Sequence, residues 1–146
     1  MESASAPSLD AIPALVATFR RALIAHGDGR FEQPTAEQAL IAASAAPHLT
    51  AHTGFTLQRL GRARSEPRAM HFDVLELFAF VRPAQPIAPA VTALTRALNL
   101  DRPASLPEQA MTLRTAAEML LQEAAQIPGR AMAARVATAM ELSRWA

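Results

Sequence analysis

Four arginines, Arg59, Arg62, Arg64 and Arg68, fall in and just after the stretch LQRLGRARSEPR. A guanidinium is a planar fork that grips two phosphate oxygens at once, so this cluster suits contact with a nucleic-acid backbone. Glu66 partly neutralises it, and no aromatic side chain is interleaved for base stacking, so a solvated loop is the competing reading. The four histidines, His26, His48, His52 and His71, are scattered and have no carboxylate pattern beside them. Imidazole can ligate zinc or move protons near neutral pH, but these read as turn or partly buried residues. No G-x-S-x-G elbow is present, so a hydrolase triad has no nucleophile in the expected setting.

The composition excludes further chemistry. All 14 basic residues are arginine, and a phosphate-binding P-loop needs its lysine. There is no cysteine, hence no disulfide, thiolate zinc site or iron–sulfur ligand within these residues. The formal net charge of +1 argues against a long basic surface for duplex DNA. No apolar run is long enough to span a bilayer, and MESASAPSLDA lacks the basic start and apolar stretch of a signal peptide. A cytoplasmic protein without membrane contact is expected.

These groups must be positioned by a fold, and 146 residues, 51% of them apolar, suffice for one domain with a real core. Residues 1–11 read as a flexible lead and 12–146 as the domain. The run from Ile12 to Thr18 suits a strand, with a helix as the alternative. Gly27-Asp28-Gly29 predicts a hairpin from about Ala22 to Phe31. Thr35 and Gln38 stand at capping-box spacing before a helix over Ala36 to Ala45, which Pro47 ends. HLTAHTGF predicts a short strand and GFTLQRLG a short helix stopping at Gly61. FDVLELFAFV has helical spacing, although its first residues could end a strand. Val91, Leu94 and Leu98 share one helical face. Met111, Leu113, Ala117, Leu120 and Leu121 predict a broad apolar stripe on the longest helix, and a last helix follows Pro128-Gly129.

Phe72, Phe78 and Phe80 could line a ligand box, but core packing is the expectation for Phe78, and Phe80 is expected to face a neighbour. Met140, Leu142 and Trp145 could form a face that docks on a following domain. The chain stops on an apolar helix, as a domain cut from a longer protein would.

LTAHTGFTLQRL, then DVLELFAFV, VTALTRALNL and EQAMTLRTAAEMLL, is similar in order and spacing to the DnaQ-like 3′–5′ exonucleases of the ribonuclease H-like fold. That resemblance implies an α/β domain, a mixed sheet flanked by helices with a helix-rich C-terminal half. The family's chemistry is two-metal phosphodiester hydrolysis, in which four carboxylates hold two divalent ions about 4 Å apart. Those carboxylates are missing here. The opening strand ALVATFRRAL holds no acid, the position after Phe55 is Thr56, and the His and Asp of the last helix correspond to Glu108 and Leu113. Asp73 matches a structural member of its segment, not a metal ligand. No catalytic residue and no metal site is therefore expected.

The segment DVLELFAFVRPAQPIAPAVTALTRALNL, followed by LRTAAEMLLQEAA, also resembles the N-terminal region of DinG-like ATP-dependent DNA helicases of alphaproteobacteria. The likeness runs from about Ile12 to Ala146 and is best between Phe72 and Gln122. It implies a non-catalytic, exonuclease-like front domain with a structural or strand-guiding role in DNA unwinding and repair. Its partners would be a downstream helicase domain and single-stranded DNA. ATP and magnesium would belong to that motor, and no cofactor to this segment. Two other readings stay open: a stand-alone protein-interaction module, and a nuclease with unorthodox ligands Asp73, Glu76 and Glu108.

Overall fold

A five-stranded mixed sheet forms the middle layer, and the structure, a computed structural model, describes residues 8–61 and 70–144. Strand β1 spans Ala14–Ala17, β2 Ala22–Ala25, β3 Phe31–Glu32, β4 Leu49–Thr50 and β5 Phe72–Asp73. Their order is β3-β2-β1-β4-β5. β2 runs antiparallel to both β1 and β3, whereas β4 is parallel to β1 and β5 parallel to β4.

The two central strands are buried along their whole length because helices cover both faces. Side chains alternate across a strand. Ala14, Val16, Leu23 and Ala25 therefore join the larger core with Val74, Phe78, Leu94, Leu113 and Leu120. Leu15, Ala17, Ala22 and Ile24 join a smaller one with Ala39, Ala43, Leu57 and Leu60. A strand buried on both sides shows an unbroken apolar run, which is why ALVA and ALIA carry no period-2 pattern.

The β2–β3 hairpin sits where Gly27-Asp28-Gly29 predicts it. Gly29 takes φ 88°, and the Asp28 carboxylate accepts from the Arg30 backbone N–H (3.1 Å) and from its Nε (2.7 Å). Helix α1, Ala36–Ala45, has both arms of the capping box: Gln38 N–H donates to the Thr35 hydroxyl, and Thr35 N–H to the Gln38 amide oxygen. Helix α2 spans Thr53–Arg59, and Gly61, φ 93°, follows it. Helix α3 is Val74–Val81, directly after β5, and α4 is Val91–Leu98.

Helix α5, Leu106–Ala125, packs across β1, β2 and β4 and carries α3 and α4 on its flanks. Its buried stripe differs from the predicted one. Ala110, Leu113, Ala116, Ala117 and Leu120 are inside, but Met111 and Leu121 are about half exposed (51% and 47%). The small alanines occupy the face against the sheet, and the bulkier Met111 and Leu121 lie a third of a turn off it. Phe78 is in the core as expected, and Phe80 packs partly against that same core. Phe72 is 43% exposed. Helix α6, Gly129–Ser143, buries none of its described residues.

Leu9–Ala11, placed in the predicted lead, forms a 3-10 turn. Arg114 of α5 holds it, donating to the carbonyls of Leu9 (2.8 Å), Ile12 (2.9 Å) and Ala25 (3.4 Å) while only 8% exposed. Across the described residues no helix is long and apolar enough to cross a membrane.

Candidate functional site: a cleft at the carboxyl end of β1

In α/β sheets ligands gather beyond the carboxyl ends of strands where the chain leaves in opposite directions. Here β1 and β4 are parallel neighbours, so their carboxyl ends lie at the same edge of the sheet. A cleft of about 110 Å³ opens there. Its walls are the end of β1 (Leu15, Val16, Ala17), His52 to Arg59 around α2, the start of α4 at Ala90, and Gln109 and Leu113 of α5.

Local sequence explains how each wall is held. His52 caps α2, its Nδ1 accepting from the Phe55 N–H at 3.2 Å, and the two rings lie 4.6 Å apart. With Nδ1 accepting, the ring proton sits on Nε2, which is a donor. Arg59, in the last turn of α2, donates through Nη1 to the Ala17 carbonyl at 3.2 Å and so lies beside the strand end. Thr56 faces the cleft with 7% exposure. Helix α4 opens on Ala90, which has no side chain to cap it.

The positions that the resemblance assigns to acids largely converge on this cleft. The end of β1, Thr56 and Leu113 all line it, and none is a carboxylate. Glu108, which stands where the resemblance places a histidine, does not line it. Its carboxylate accepts from the Ala104 N–H at 2.6 Å, and its own N–H donates to the hydroxyl of Ser105, the residue that caps α5. It borders a more open groove with Asp101 and Arg102. Gln109, a hundred degrees further round the helix, takes the place in the cleft.

Asp73 is a double cap. Its Oδ2 accepts from Thr53 N–H at 2.7 Å and its Oδ1 from Glu76 N–H at 3.0 Å, fastening the starts of α2 and α3 together. Glu76 itself is exposed. Among the described residues, Asp73, Glu76 and Glu108 do not assemble into a group that could hold a metal.

The histidines divide by role. His26 Nε2 meets Glu32 at 2.6 Å across the hairpin. His48, 3% exposed, donates from Nδ1 to the Ala46 carbonyl at 2.8 Å, and burial pushes its pKa below the ordinary value. His71 Nδ1 accepts the His48 backbone N–H at 3.1 Å, beside the β4–β5 pairing.

Of the arginine cluster, Arg59 lies at the cleft, whereas Arg62, Arg64 and Arg68 fall outside the described residues. Met140 and Leu142 are exposed on α6 (58% and 67%), and Trp145 falls outside the described residues.

One stretch escaped the sequence reading. Phe19, 80% exposed, stands between β1 and β2 with Arg20 and Arg21 after it, at the same end of the sheet as Arg59. The Arg20 guanidinium lies 5.6 Å from the Phe19 ring centroid. The signal, an aromatic next to two arginines in a short connection, is visible in the sequence. It was hidden because that run reads as the tail of an apolar strand.

Comparison of this chain with protein-family models, with curated proteins and with solved structures finds no match.

Proposed function

We propose that this chain is a catalytically inert, ribonuclease H-like domain of the DnaQ-like exonuclease type. In this reading it stands at the front of a DinG-like ATP-dependent DNA helicase and helps to guide a single strand. The observation that carries the reading is the convergence of the end of β1, Thr56 and Leu113 on one cleft with no carboxylate among them. An exonuclease site that had lost its metal ligands and kept its scaffold would look like this, because neutral side chains cannot hold two hard divalent cations. A mixed sheet covered by helices on both faces is the architecture the resemblance implies. Phe19 with Arg20 and Arg21 supplies what single-strand contact needs, a π-face for a base and charge for the backbone.

The test has two parts. A labelled single strand incubated with the chain and Mg²⁺ or Mn²⁺ is expected to stay intact, and metal-dependent shortening would refute the inert reading. Fluorescence anisotropy with a short oligonucleotide is expected to show salt-sensitive binding that Phe19→Ala weakens by about 1–3 kcal/mol, the worth of one stacked base. Binding indifferent to Phe19→Ala would remove the strand-guiding role. The helicase link is read from the source gene, where a G-x-x-x-x-G-K-[ST] segment is expected beyond the codon for Ala146.

A second reading, a protein-interaction module, is favoured by α6, where Val136, Met140 and Leu142 are 42%, 58% and 67% exposed. It predicts self-association in sedimentation experiments that Leu142→Glu abolishes.

A further inference from the structure

Several hydrogen-bond donors border the cleft at the end of β1. Thr56, 7% exposed as a residue, lines the cleft, and its hydroxyl, which no described residue engages, keeps access to solvent. The eight-residue helix α4 starts at the same place. Its first two amides, Val91 and Thr92, have no capping side chain to receive them, because Ala90 precedes them. Arg59 uses one guanidinium N–H on the Ala17 carbonyl, and a guanidinium has five. Among the described residues no aspartate or glutamate lines the cleft. A helix N-terminus attracts anions through its unpaired amides and its dipole. A threonine hydroxyl that can donate, and a guanidinium beside it, supply the remaining bonds a tetrahedral oxyanion would take.

We propose that this cleft is a metal-free site for one phosphate group, bound by the Val91 and Thr92 amides, the Thr56 hydroxyl and the Arg59 guanidinium. Its volume of about 110 Å³ is well below the roughly 300–1,000 Å³ of sites that enclose a whole small molecule. The phosphate enters and any sugar or base attached to it stays outside. The source is inorganic phosphate or the phosphorylated end of a nucleic-acid strand. The proposal stands on the lining of the cleft and not on the helicase reading, so it can fail while strand guiding survives, and the reverse.

The experiment is a titration of the ¹⁵N-labelled chain with inorganic phosphate, with sodium chloride at matched ionic strength as the comparison. The amide resonances of Thr56, Val91 and Thr92 are expected to move saturably with phosphate and not with chloride. Arg59→Gln is expected to weaken the affinity about tenfold, and Thr56→Val several-fold, with the rest of the spectrum unchanged. Arg59 is exposed, so its variant folds even where the buried Thr56→Val does not. No saturable movement, an equal response to chloride, or an affinity that Arg59→Gln leaves unchanged would overturn the proposal. A short oligonucleotide with and without a terminal phosphate then names the source. Tighter competition by the phosphorylated strand assigns the strand end, and equal or absent competition assigns inorganic phosphate.

Discussion

Replacing Arg114 with methionine should cost this fold about 3 kcal/mol. The guanidinium is 8% exposed and donates to three backbone carbonyls, those of Leu9, Ile12 and Ala25. Two of the bonds are short, 2.8 and 2.9 Å, and the third, at 3.4 Å, is weak. A hydrogen bond from a charged donor is worth about 1.5–3 kcal/mol, so the two short ones contribute roughly 3–6 kcal/mol. Against this stands the cost of keeping a charge out of water, which methionine does not incur. The carbonyls decide the balance. They remain after the substitution, and although the Leu9 carbonyl keeps the Ile12 N–H at 3.1 Å, methionine supplies no replacement donor, so part of their desolvation penalty is left uncompensated.

About 3 kcal/mol is a large part of the roughly 5–15 kcal/mol available to a domain. It should lower Tm by about 6–12 °C for a chain of this size. The assay is urea unfolding of wild type, Arg114→Met and Arg114→Lys, compared by midpoint at constant slope. Lysine keeps the charge but is a point donor, so it should recover only part of the loss. Hydrogen exchange should show the added opening first in residues 9–12, which Arg114 ties to α5. An Arg114→Met midpoint within about 0.5 kcal/mol of wild type would refute the reasoning. It would mean that desolvation of the guanidinium cancels the bonds it makes.

Two further outcomes follow from the packing and the protonation of the fold. A Cβ added at Gly27 would lie 2.1 Å from the Asp10 carbonyl oxygen, which is backbone and cannot swing aside. Gly27→Ala should cost about 1–3 kcal/mol in urea unfolding, while Gly129→Ala, with nothing within 4 Å, should not destabilise. His48 has its folded pKa depressed by burial, so the unfolded chain binds the proton more readily. Its contribution is intact above about pH 6.5, the unfolded value, and is lost as pH falls from there toward the folded pKa. Unfolding free energies from pH 7.5 down to 5 should decline less steeply in His48→Gln than in wild type, and equal slopes would remove His48 from the account.

The elements that local chemistry dictates were legible in the sequence. The capping box of Thr35 and Gln38 starts α1 at Ala36, and Gly27-Asp28-Gly29 turns the β2–β3 hairpin, because each rests on bonds within a few residues. Val91, Leu94 and Leu98 are buried as their helical spacing predicts. That Thr56 and Leu113 are not carboxylates was equally plain, since residue type is read directly from the sequence.

Only tertiary structure decided the rest. Strand order depends on pairings between residues far apart, such as Ala14 with Leu49 and Leu49 with Phe72, which no local period encodes. The buried face of α5 is set by which side chains are small enough to meet the sheet, so Ala110 and Ala116 go in and Met111 stays half out. Arg114 reads in sequence as one more surface charge on a helix, and becomes a buried strut because three carbonyls from distant segments converge on it. Arg59 reads as the first of a loop cluster. The fold draws it instead to the Ala17 carbonyl, at the mouth of a cleft whose walls come from four separate stretches of chain. A single residue's type fixes what it can bond, but its partners are chosen by the packing that brings distant segments together.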